Sequence, residues 1–120
     1  MYEYHATVTR VVDGDTVDVV IDLGLGTSKL ERLRLFGINA PETQGEERDA
    51  GLAAKQWLEA QLDMIGFKVV VKTYKEVTTD KDKKGKFGRY LADIFAPVQV
   101  HGESINQRMV RAGHAKAASY

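Results

Sequence analysis

Asp13-Gly14-Asp15-Thr16, Arg34 with Asn39-Ala40-Pro41-Glu42, and Phe87-Gly88-Arg89 bring two aspartates, a glutamate and two arginines to the ends of strand-like runs. Hard divalent cations such as calcium take roughly 6–8 oxygen ligands from carboxylates, amides, carbonyls and water. Asp15, with oxygens from residues 39 and 40 on a neighbouring strand, could supply part of that shell. Glu42 follows Pro41, whose fixed φ stiffens the bend, and a carboxylate held there can orient or deprotonate water. Arg34 and Arg89 can grip phosphate oxygens through paired hydrogen bonds and offset the charge that builds during attack at phosphorus. Each piece alone has an ordinary structural reading. Asp-Gly is a common turn, a loop glutamate is usually solvated, and a single arginine is usually a surface or ion-pairing residue.

The elements that must position these groups are mostly strands. Ala6, Val8 and Val11-Val12 fit a first strand, and Val17, Val19 and Ile21 alternate with Thr16, Asp18 and Val20 in a second. Gly24 and Gly26 mark a loop, and Leu30 to Phe36 forms a third strand. There Leu33 and Leu35 share one face, so Arg34 and Phe36 lie on the other, which must meet a polar cleft or a partner carboxylate. A helix follows from Asp49 to Ile65, with Ala54, Leu58, Leu62 and Ile65 as its apolar stripe and Gly66 as its stop. Phe67–Lys72 is a fourth strand with Val69 and Val71 inward, Lys75–Lys86 a lysine-rich loop, and Arg89–Phe95 a fifth strand with Leu91 and Ile94 in the core. Ser104 and Gln107 have capping-box spacing, and Ile105, Met109 and Ala112 form the buried stripe of a last helix closed by Gly113. The inventory predicts an α+β, mainly β fold over residues 1–120 as a single domain. It would be a five-stranded barrel of the oligonucleotide-binding (OB-fold) type with helices packed against it.

Composition sets limits. The chain has 120 residues, 43% hydrophobic and 28% charged, as in soluble globular proteins. It has no cysteine, which excludes disulfides and thiolate chemistry. It has no apolar run long enough for a membrane-spanning helix and no signal peptide. A cytoplasmic location is therefore expected, or a secreted one if the chain is a processed form. The net charge is zero, which argues against a tight architectural DNA binder. Residues 1–63 nevertheless carry 12 acidic and 6 basic side chains, whereas 64–120 carry 5 and 11. That division suits an acidic metal pocket beside a basic phosphate track, and equally suits ordinary surface patchiness.

In order and with compatible spacing, Val12 to Thr16, Arg34 to Glu42 and Lys86 to Arg89 resemble the staphylococcal nuclease (thermonuclease) family. Ile105-Asn106 and Val110 to Lys116 extend the likeness, which runs from about Val8 to Lys116. The resemblance implies that Asp15 ligates calcium, that Glu42 is the base or water-positioning residue, and that Arg34 and Arg89 bind phosphate. It implies further that Asp13 is a supporting acid, and that Lys86 and Phe87 line the nucleotide pocket. Asn39 stands where the family has a second metal-ligating aspartate, and Ala40 where it uses a backbone carbonyl. An amide oxygen remains a hard ligand but carries no charge, so weaker calcium binding with activity retained is expected.

Other departures concern the base contacts. The loop from Asp22 to Leu30 is expected to be longer than in the staphylococcal enzyme, and Phe87 replaces a tyrosine. Ser119 stands near a pocket tyrosine position, for which Tyr120 would partly substitute. Asp80 to Gly85 opens like a calcium-binding EF-hand loop, but Lys84 and Leu91 occupy its fifth and twelfth positions, which rules that motif out. His5, His101 and His114 show no metal-ligand spacing, and Trp57 and Met109 suit the core. The expectation is a calcium-dependent nuclease, a monomer with no membrane partner, acting on DNA and with RNA a second candidate substrate. The resemblance implies 3′-phosphate ends. The alternative is a non-catalytic nucleic-acid-binding or interaction module of the same fold. Such modules usually lose several acids and arginines together, whereas here Asp15, Arg34, Glu42 and Arg89 all remain.

Overall fold

The structure, a computed structural model, describes residues 2–74 and 90–118. Five strands, β1 (Tyr2–Asp13), β2 (Thr16–Gly24), β3 (Thr27–Leu35), β5 (Lys68–Thr73) and β6 (Tyr90–Phe95), close into a barrel in the order β1-β2-β3-β6-β5. All neighbours are antiparallel except β3 and β6. Two short strands, β4 (Ile38–Asn39) and β7 (Lys116–Ala117), pair outside the barrel, and the helices are α1 (Arg48–Asp63) and α2 (Ile105–Arg111). The predicted OB-type barrel with packed helices is the fold observed.

Period-two alternation built the barrel interior. Val17, Val19, Leu33, Leu35, Val69, Val71, Ala92 and Ile94 are buried together, as alternating side chains on a pleated strand require. In β1 the inward phase slips. A register shift between Val8 and Arg10 lets both Val8 and Val11 face the core, three residues apart. On β6, Ala92 and Ile94 carry the inward phase, and Leu91 is buried outside that cluster. The predicted loop from Asp22 to Leu30 is instead a hairpin. Strand pairing continues to Gly24 and Thr27, and the turn is made by Gly24, Leu25 and Gly26, all with positive φ.

Helix α1 lies against β1 and buries Gly51, Ala54, Leu58 and Leu62. Ile65 falls beyond its end and is half-buried, where Gly66 turns the chain at φ 65°. Ser104 caps α2 through the predicted capping box, and Ile105 and Met109 are buried. Ala112 is exposed, contrary to its predicted place in the stripe, because the seven-residue helix ends before that turn. Trp57 is half-buried against the core, its ring 5.5 Å from that of His114.

Asn106 joins α2 to the barrel. Its side-chain amide donates to the carbonyls of Phe36 (2.9 Å) and Ala92 (3.0 Å), and its oxygen accepts from the Ile94 N–H (3.1 Å). These bonds brace the parallel β3–β6 pairing, which no hairpin enforces. Asn106→Ala removes all three in a fully buried setting and should cost about 2–4 kcal/mol, read as a lower urea midpoint with unchanged slope.

Candidate nuclease site

The β2–β3 register places Thr16 opposite Arg34, so the Asp13–Asp15 turn meets the end of β3. The Leu35 N–H donates to the Asp15 carbonyl (2.8 Å), locking the two together. Beyond β3, β4 pairs with β7, Asn39 opposite Lys116, which fixes the backbone at Asn39 from the C-terminal side. A Cβ on Gly14 would lie 2.7 Å from the Ala40 Cβ and 3.0 Å from the Ala54 Cβ. Glycine there allows the acidic turn, the 39–40 segment and α1 to touch.

The Arg34 guanidinium sits among the oxygens so assembled. Nη1 lies 3.4 Å from Asp15 Oδ2 and donates to the Leu35 carbonyl (3.1 Å), while Nη2 donates to Asn39 Oδ1. Asp15 Oδ2 also accepts the Ala40 N–H (2.9 Å), and Oδ1 accepts the Thr16 hydroxyl (3.2 Å). The Asp15 N–H donates to Asp13 Oδ1 (3.1 Å). Asp15, Arg34, Asn39 and Ala40 thus form one hydrogen-bonded cluster. Glu42 stands two residues past Ala40 with an exposed side chain. Lys86, Phe87, Arg89 and Tyr120, with the rest of the lysine-rich segment, lie outside the described residues.

Burial, and then hydrogen bonding with the Asp13 side chain, push the Asp15 carboxyl up to about 6, against the pull of the Ala40 N–H and Arg34. A carboxylate so raised gains from a nearby cation. Among the described residues no three His, Cys, Asp or Glu side chains converge as a metal site. The oxygens brought together here are the Asp15 carboxylate and the Asn39 amide oxygen, both hard donors, while Ala40 turns its N–H to Asp15.

A folded pKa above the unfolded one contributes stability that is complete below about pH 4 and lost as pH rises through about 6. Asp15→Asn keeps the acceptor for Ala40 and removes the charge. In calcium-free buffer at pH 7 it should therefore raise stability by about 1–3 kcal/mol, a gain that vanishes toward pH 4 in urea titrations.

The sequence gives no sign of β4 and β7, nor of the contacts that Glu47 and Gly51 make with the main chain at residue 42. Two-residue strands leave no periodic signal. At Gly51 the chain marks a close approach but not its partner: a glycine three residues before Ala54, inside a helix and on its apolar stripe.

A closed five-stranded barrel of the OB type thus carries an acid–amide–guanidinium cluster where the β1–β2 turn meets the end of β3. The staphylococcal nuclease homologue family model matches residues 32–120, and the chain belongs to that family. It is 36% identical over 113 residues to an uncharacterized endonuclease of Escherichia coli O157:H7, covering 94% of this chain and 60% of that one. It is 32% identical over 123 residues to a micrococcal nuclease of Shigella flexneri, covering 98% and 60%. It is also 32% identical over 121 residues to the endonuclease YhcR of Bacillus subtilis (strain 168), covering 94% and 9%. The chain thus spans about 60% of the length of the first two relatives.

Proposed function

We propose that this chain is a calcium-dependent nuclease domain, hydrolysing phosphodiester bonds of DNA and leaving 3′-phosphate ends, with RNA as a second substrate to test. The observation that carries the reading is the convergence of Asp15, Arg34, Asn39 and Ala40 in one cluster, within a family whose model is that of a nuclease. Asp15, the Asn39 amide oxygen and the Ala40 carbonyl would hold the calcium ion. When bound, it supplies Lewis-acid polarisation of the phosphoryl oxygens.

The chain's own groups do the rest. Glu42 sets the attacking water in line with the scissile bond and accepts its proton; as the new O–P bond forms, the P–O5′ bond breaks and the 5′-oxygen leaves as a 5′-hydroxyl, taking its proton from solvent. Arg34 offers two N–H groups to the non-bridging phosphate oxygens, and Arg89 is assigned the same role from the next motif. Lys86, Phe87 and Tyr120 are assigned to the nucleotide itself, Phe87 by stacking on a base.

The test is digestion of single-stranded DNA, duplex DNA and RNA with calcium or with a chelator, wild type beside Glu42→Gln. Product ends are read by whether a 3′-phosphatase is needed before polymerase extension. Calcium-dependent, Glu42-dependent cleavage with blocked 3′ ends supports the reading. Binding without cleavage makes the domain a non-catalytic module. Asn39→Asp adds a second carboxylate beside Asp15 and should tighten calcium binding by about tenfold or more in calorimetry, with little change in turnover at saturating calcium. Unchanged affinity would show that charge count at residue 39 does not set it.

A further inference from the structure

We infer that Glu47 and Gly51, one helical turn apart at the start of α1, clamp the main chain of Glu42 and so position its carboxylate. The inference rests on the assignment of Glu42 as the base. A Cβ on Gly51 would lie 1.9 Å from the Glu42 carbonyl oxygen, 2.4 Å from its carbonyl carbon and 2.8 Å from the Thr43 nitrogen. The 42–43 peptide therefore rests directly on the helix backbone, a contact that any side chain at 51 would break. On the other side of the residue, the Glu42 N–H donates to Glu47 Oε1 (3.2 Å). The main chain of the proposed base is held at both ends, by Gly51 inside α1 and by Glu47 immediately before it.

Both residues depart from what a helix favours. Glycine inside a helix is unfavourable relative to alanine, yet Gly51 sits on the buried face of α1. Glu47 is the N-cap residue of α1 and makes no side-chain cap hydrogen bond; its carboxylate turns to Glu42 instead. Local rules broken together around one residue point to a demand that lies outside the helix. The same helix backs the acidic turn through Ala54, which Gly14 approaches. Helix α1 is thus a common platform for the proposed metal ligands and the proposed base. Glu42 is exposed, so no packing of its own side chain would otherwise fix it.

The experiment measures kcat and KM for Gly51→Ala, Glu47→Ala and Glu47→Gln, each alone and combined with Glu42→Gln. A displacement of about 1 Å costs on the order of 100-fold in rate, so Gly51→Ala should lower kcat by about that factor with KM within about twofold. Glu47→Ala should lower kcat by roughly three- to tenfold, and Glu47→Gln, which keeps an acceptor oxygen, should restore it. On the Glu42→Gln background these losses should disappear, because the group being positioned is gone. Equal losses on both backgrounds, losses in KM alone, or a Glu47→Gln variant as impaired as Glu47→Ala would overturn the clamp. Should Gly51→Ala fail to fold by circular dichroism, the exposed Glu47 pair decides the matter. If Glu42→Gln alone costs nothing in the wild-type chain, it is the assignment of the base that fails.

Discussion

Replacing Glu42 by glutamine is expected to lower kcat for DNA cleavage by about 10²- to 10⁴-fold while leaving KM, calcium affinity and thermal midpoint near wild type. Glutamine has the same shape and reach but cannot take a proton from water at neutral pH. Glu42 is exposed, and its main-chain contacts to Glu47 and Gly51 are independent of its own side chain, so the substitution should leave the fold alone. The loss should therefore fall on the chemical step. A loss smaller than about tenfold would assign the base to another group.

Arg34→Ala should lower kcat by about 10²- to 10³-fold, the usual scale for removing one donor to developing charge. It should also destabilise the calcium-free protein by about 2–4 kcal/mol, a second effect that Glu42→Gln lacks. Arg34 and Asp15 are each only 14% exposed at the side chain, and the guanidinium also bonds Asn39 Oδ1 and the Leu35 carbonyl. Removing it breaks those hydrogen bonds and pushes the Asp15 carboxyl further up, so that it takes a proton instead of standing as an unpaired charge. Calcium affinity should move the other way, because the positive charge competing for Asp15 and Asn39 is gone. Arg34→Lys should recover little, since an ammonium cannot span both acceptors. Urea unfolding, calcium titration and steady-state kinetics on one preparation separate the three effects.

Much of the barrel was legible because a strand writes its faces into the chain every second residue. Val17, Val19, Leu33, Leu35, Val69 and Val71 announce their inward side without any partner in view. The capping box at Ser104 is local in the same sense. Where the reading failed, a partner made the decision. Asp22 to Leu30 looked like a loop because of its glycines, yet ladder pairing carried the strands to within a few residues of the tip. Ala112 kept helical spacing after the helix had stopped.

The candidate site divides along the same line. Which chemical groups are present, that Arg34 turns away from the core face shared by Leu33 and Leu35, and that residue 39 carries an amide can all be read along the chain. Periodicity and side-chain identity are local properties. That Arg34 meets Asp15 follows from the pairing of Thr16 with Arg34, and that β7 braces Asn39 from more than seventy residues away follows from the β4–β7 pairing, neither of which is local. The same is true of the bare backbone that α1 presents at Gly51 for the Glu42 peptide to rest on. Register and close approach belong to pairs of distant segments, and their geometry is set by the packing of the whole barrel.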